Sequence, residues 1–170
     1  MKKYLSSIAV LLLLFSLAAC GEQTEMKYDE NSLEGKVEKV IYDEISHKVE
    51  KADDKERVVS ISTIQDVVAG NDNKIVNVEL NADEYTTSAR SRDEILIQSS
   101  KLFEQLFQLE NVSEVSLDWK LPLTDVKGNE EPKTVVKIIL RADNGINWDN
   151  FVIYDFEKVA DKYYEHKALK

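Results

Sequence analysis

The chain has 170 residues, 43% hydrophobic and 32% charged, a size and balance that suit one globular domain with a substantial apolar core. A formal net charge of −10 argues against a nucleic-acid binder, because phosphates require a basic footprint. The single cysteine, Cys20, excludes an intrachain disulfide, so the fold has to be held by packing alone.

Lys2 and Lys3 open the chain, Ile8 to Leu14 with Phe15 and Leu17 form an apolar run, and small residues lead up to Cys20. This is the layout of an export signal with a cleavage site. The run is shorter than the roughly 20 residues that a bilayer-crossing helix needs. Leu17-Ala18-Ala19-Cys20 resembles the lipobox of bacterial lipoproteins. The resemblance implies a diacylglyceryl group on the Cys20 sulfur, cleavage between Ala19 and Cys20, and a mature protein held to a membrane by lipid. An ordinary secretory signal is the alternative, but it leaves an unpaired thiol in an exported protein. Loss of residues 1–19 leaves 151 residues in which 20 basic side chains face 32 acidic ones, a net charge of −12. Such acidity disfavours a domain lying flat on an anionic membrane. The division expected is a removed signal at 1–19, a lipidated flexible acidic linker at 20–34, and one domain at 35–170.

Within that domain, Val37, Val40, Ile41, Ile45 and Val49 recur at helical spacing, which predicts a helix over Lys36–Val49. Lys51 to Glu56 reads as a charged loop. Arg57 to Val68 is rich in β-branched residues, Gly70-Asn71-Asp72-Asn73 signals a turn, and Lys74 to Asn81 alternates with Val76, Val78 and Leu80 on one side. Together they predict a hairpin. Asn81 to Ser91 is polar, with Ser88 or Ser91 as a helix N-cap. Arg92 to Leu109 then returns to the helical period through Ile95, Leu96, Leu102, Phe103, Leu106 and Phe107.

Val115, Leu117, Trp119, Leu121 and Leu123 form the longest alternating stripe, with Pro122 marking an edge or a strand end. Gly128-Asn129 turns the chain, Thr134 to Arg141 returns, and Asp143-Asn144-Gly145 ends that strand. Phe156, Val159, Ala160 and Tyr163 predict a last short helix. The fold class expected is α+β, in the order α-β-β-α-β-β-α, with an antiparallel sheet of about four strands and helices on one face.

Few constellations carry chemistry. Glu44-Ile45-Ser46-His47 has the E-x-x-H spacing of di-iron bundles, but occurs once and outside a bundle, so surface charge is the simpler reading. Two histidines and no further thiol make a poor transition-metal set. His166 is expected to interact with the last carbonyls of its helix. The Asp143–Asp149 and Asn71–Asn73 oxygen clusters miss the calcium-loop pattern and read as turns. No catalytic residue, metal ligand or cofactor is assigned. Trp148, Phe151, Tyr154, Phe156, Tyr163 and Tyr164 make the C-terminal segment the most aromatic, either closing the core or forming a recognition surface. Trp148, Tyr154, Tyr164 and His166 are the candidate binding residues, beside Cys20 as the lipidation site.

Val78-Glu79-Leu80-Asn81-Ala82-Asp83, Trp119, Gly128-Asn129, Ile146-Asn147-Trp148-Asp149-Asn150-Phe151, Val159-Ala160-Asp161, Tyr163 and Glu165-His166 carry a further likeness. Through them the stretch Val78–Leu169 resembles a domain of small uncharacterised lipoproteins of Gram-positive bacteria. The resemblance implies a fold and a cell-surface setting, and no activity. The function expected is an extracytoplasmic binding or interaction module, anchored in the cell membrane through lipid on Cys20 and facing outward. Its partner would be an envelope protein, peptide or polymer rather than nucleic acid. The alternatives are an envelope-acting hydrolase or metal-dependent enzyme, and an immunity or regulatory protein at the membrane surface.

Overall fold

The computed structural model describes residues 28–50, 52–70 and 72–170; the expected export signal, Cys20 and the start of the expected linker lie outside them. Chain order is α1 (Leu33–Ile45), β1 (Lys48–Val49), β2 (Ala52–Glu56), β3 (Val58–Gln65), β4 (Lys74–Asn81), α2 (Ser88–Leu106), β5 (Val112–Thr124), β6 (Glu130–Arg141), α3 (Phe156–Val159) and β7 (Lys162–Glu165). The class is α+β, as expected. The sheet differs: it has five strands in the order β3-β4-β5-β6-β7, and β1 and β2 form a separate pair.

The expected all-antiparallel pairing is corrected at the centre of the sheet, where β4 and β5 run parallel. The reason is geometric. A hairpin reverses the chain once, whereas the helix between β4 and β5 brings it back to the end from which β4 began, so the next strand runs in the same direction. The other neighbours are antiparallel. The fifth strand is β7, which pairs Ile138 with Tyr163 and Lys137 with Tyr164. Tyr163, expected on a helix, therefore lies on a strand, and α3 is a single turn ending at Val159. The expected charged loop at Lys51–Glu56 includes β2, which pairs Lys48 with Glu56 and Val49 with Ala52.

Both long helices cover one face. In α1, Ser32 accepts a hydrogen bond from the Gly35 N–H as N-cap, and Val37, Ile41 and Ile45 are buried at four-residue intervals. The helix stops there, short of Val49, because Ser46 takes a positive φ of 93°. Thr87, rather than Ser88 or Ser91, caps α2, whose buried face includes Ile95, Leu96, Ser99, Leu102, Phe103 and Leu106. These meet Val76, Val78 and Leu80 of β4, Val115, Leu117 and Trp119 of β5, and Val136, Ile138 and Leu140 of β6, all buried. Each such aliphatic side chain contributes about 1.5–3 kcal/mol on burial. Trp119 is wholly buried, and its indole N–H donates to the Ser99 hydroxyl at 2.8 Å, so its one polar atom is satisfied.

The opposite face is polar and pairs its own charges across the strands: Lys120 with Glu79 at 2.8 Å, Lys137 with Asp118 at 3.4 Å, and Arg141 with Glu114 at 3.2 Å. These partly exposed pairs set cross-strand register more than they add stability. Asp66 is a different case. Almost fully buried, it accepts from the Val68 and Ala69 N–H groups, the Ser113 hydroxyl and Arg141, joining the β3–β4 turn to β5 and β6. Its carboxyl is held down at about 2, first by the Ala69 N–H and then by Ser113.

Part of the expected linker belongs to the folded body. Tyr28 packs on Tyr42 with ring centroids 5.8 Å apart, and the Asp29 backbone lies so close to Gly35 that a Cβ there would clash with the Asp29 carbonyl. Gly35→Ala is therefore expected to destabilise the domain by about 1–3 kcal/mol, read from urea unfolding. Asp66 supplies a pH signature. Its folded pKa lies below the ordinary 3.8, so its contribution is complete above that value and disappears as pH falls toward about 2. Asp66→Asn should lower the urea midpoint at pH 7 and flatten the wild-type loss of stability between about pH 4 and pH 2.

Candidate functional site

Asn81 is the last residue of β4 and pairs with Lys120, so β5 and β6 run past the sheet as a two-stranded arm. Pro122 lies in that arm opposite Pro132. A proline is tolerated there because β4 no longer needs a hydrogen-bond donor from β5. The arm borders two depressions: Pro122 lines one, and Leu123 and Thr124 line the other.

The first depression encloses about 460 Å³ between Val49, Lys55, Ala82, Glu84, Tyr85, Thr86 and Pro122. One wall is the β1–β2 pair, which buried charge fastens to the sheet. Arg57, fully buried, donates from Nη1 to the Asn81 carbonyl at 2.7 Å, and from Nη2 to the Asp83 carboxylate at 2.8 Å and the Lys48 carbonyl at 3.2 Å. Asp83 also accepts from the Glu50 N–H at 2.7 Å, and Asn81 donates to the Glu56 carbonyl at 2.8 Å. Arg57 Nε is buried without a partner. Sequence reasoning placed Arg57 only as a strand start; no local pattern distinguishes a buried guanidinium from the many exposed ones.

The second depression, about 410 Å³, is lined by Leu123, Thr124, Asp125, Lys133, Thr134, Tyr164 and His166. It brings together two of the four candidate binding residues. Tyr164 is 44% exposed, on the edge strand β7. His166 follows that strand, held by its N–H donating to the Val135 carbonyl at 2.8 Å. Its Nδ1 accepts from the Ala168 N–H at 3.1 Å, capping the start of a short 3₁₀ turn instead of meeting the end of a helix. Asp125 is engaged by the arm's own turn, accepting from the Lys127 and Asn129 N–H groups, and its carboxyl lies below its ordinary range chiefly through Asn129. Lys133 pairs with Glu131 at 2.5 Å.

The other two candidates lie elsewhere. Trp148 stacks on Phe103 with centroids 6.3 Å apart and meets Phe151 edge-on, closing the core over α2. Tyr154, 51% exposed, lies under the Arg92 guanidinium, and a hydrogen bond with Asp93 raises its hydroxyl pKa. His47, of the E-x-x-H match, follows α1 and packs at a tilt against Tyr42, with 4.1 Å between ring centroids. Burial, then Glu38, pushes the Tyr42 hydroxyl up to about 12. Among the described residues no three His, Cys, Asp or Glu side chains gather to hold a metal ion, and no helix is long and apolar enough to cross a membrane.

The first depression is lined by apolar and polar groups in equal measure, and the second is mostly apolar. No known protein family, curated protein or solved structure matches this chain.

Arg57 positions the wall of the first depression, and removing one partner of a buried ion pair costs roughly 3–5 kcal/mol. Arg57→Ala should reduce the unfolding free energy by about that amount, while the double change Arg57→Met with Asp83→Leu should recover much of it. Equilibrium urea unfolding of the three variants measures the difference.

Proposed function

We propose that this chain is a bacterial lipoprotein, anchored in the cell membrane through lipid on Cys20, whose acidic α+β domain is a binding module facing outside the cytoplasm. The observation that carries the reading is Leu17-Ala18-Ala19-Cys20 at the end of an apolar run, in a chain with no other cysteine. Two acyl chains anchor far better than one, at about 0.8 kcal/mol for each buried methylene. A net charge of −12 after cleavage, from 20 basic and 32 acidic residues, suits a domain held away from anionic lipid.

The groove of Tyr164 and His166 is the surface assigned to recognition. An apolar floor at Leu123, a half-exposed tyrosine ring, a lysine and an imidazole fit an extended peptide or polymer segment with carbonyl or hydroxyl groups. His166 keeps its Nδ1 occupied by the backbone, which leaves Nε2 as the ring nitrogen available to that groove.

Two measurements test the reading. Cys20→Ser should leave an unprocessed precursor or release the protein from the membrane fraction; a variant that fractionates as wild type does would refute the anchor. Crosslinking on intact cells should capture an envelope component, with recovery reduced about tenfold by Tyr164→Ala. Unchanged recovery would remove the groove from the proposal and leave the anchor intact.

A further inference from the structure

The first depression differs from the groove of Tyr164 and His166 in what its charges do. In the groove, Asp125 is taken up by the arm's own turn and Lys133 pairs with Glu131. The first depression brings together Lys55 of β2 and Glu84 of the loop before α2. Among the described residues neither side chain has a hydrogen-bond or ion-pair partner, and the two do not pair with each other.

The rest of the lining is held in place by the fold itself. Arg57 and Asp83 fasten the β1–β2 wall. In the loop before α2, the Tyr85 N–H donates to the Ser91 hydroxyl at 2.9 Å, and the Arg90 guanidinium lies 4.6 Å from the Tyr85 ring centroid. Val49 and Ala82 are buried and, with Pro122, supply apolar surface. The volume of about 460 Å³ is of small-molecule size. The bordering edge of β5 disfavours an extended chain as occupant. Its last bond on this side is from the Ala82 N–H to the Lys120 carbonyl, at 2.9 Å. Backbone groups face a given neighbour at every second residue, so Pro122 comes next, with no N–H to give.

The two charges select among the small molecules that remain. An anion meets Lys55 but is repelled by Glu84, and a cation does the reverse. A neutral molecule covers both charges and pairs neither. We propose that this depression binds a small zwitterion, an amino acid or dipeptide, with its carboxylate at Lys55 and its ammonium at Glu84. The Tyr85 ring and the apolar floor receive its side chain. Among the described residues the site shares no lining residue with the groove, and it stands independently of that groove and of the lipid anchor.

The test is titration calorimetry of the full chain carrying Cys20→Ser, with phenylalanine and alanyl-phenylalanine as probes up to about 10 mM. At least one should bind with a dissociation constant of about 1 mM or below. Acetylating the probe's amine or amidating its carboxylate should each weaken binding at least about fivefold. Lys55→Gln should abolish the preference for a free carboxylate and keep that for a free amine, and Glu84→Gln should do the reverse, with circular-dichroism spectra unchanged. That exchange of preferences is a readout that a merely structural role for either side chain would not give. Absence of binding by both probes overturns the proposal. So does equal binding of the blocked probes, binding indifferent to both substitutions, or binding that Tyr164→Ala removes instead.

Discussion

The buried guanidinium of Arg57 ties together segments that have little else in common. It reaches Lys48 in β1, Asn81 at the end of β4, and Asp83 in the loop leading to α2. Gln98 of α2 also approaches Asp83, at 3.4 Å. An isolated buried charge of this kind would be prohibitive, and only the Asp83 carboxylate with two carbonyls makes it tolerable. The arrangement has a consequence for shape. β1 and β2 are too short to hold themselves against the sheet by burial, so they lie where the guanidinium places them, and with them one wall of the first depression. At the other end of the β3–β4 hairpin Asp66 does comparable work with neutral donors and Arg141. The hairpin is thus clamped at both ends by buried charge while its middle packs apolar residues under α1.

The sheet's two faces divide the labour. The covered face is a continuous core from Val76 to Leu140, with Trp119 hydrogen-bonded at its centre. The open face pairs Glu79, Lys120, Asp118, Lys137, Glu114 and Arg141 among themselves, which leaves it well solvated and without a large apolar patch. Recognition through the middle of this face is therefore a weaker reading than recognition at the margins, where the arm, the β7 edge and the β3 edge present tyrosine, leucine and valine.

Much of the architecture was legible in the chain because alternation and helical spacing are local. The stripes of β4, β5 and β6 and the apolar face of α2 each predict an element that the structure contains. Three features were not legible. β2 is almost wholly charged at Asp53-Asp54-Lys55-Glu56 and becomes a strand because β1 and Arg57 hold it. β7, Lys162-Tyr163-Tyr164-Glu165, is too short for its period to show, and is a strand because β6 offers a free edge. The parallel register of β4 and β5 follows from the helix that joins them, which sequence spacing located without revealing which strands would become neighbours. Among the candidate residues, aromaticity selected Trp148 and Tyr164 equally. Packing against Phe103 places one, partly buried, at the margin of the core, and position on an edge strand makes the other half-exposed.

The sequence by itself determined the α+β class, the signal-like N-terminus ending in a lone Cys20, and the strong acidity, because each depends on residue type and order along the chain. Only the tertiary structure decided the mixed five-stranded sheet, the joining of Tyr164 and His166 in one groove, and the burial of Arg57. It also separated a charged, truncated edge at β7 from a long neutral one at β3. Those outcomes depend on which distant segments come to share a face, and the spacing of residues within a segment does not encode its neighbours.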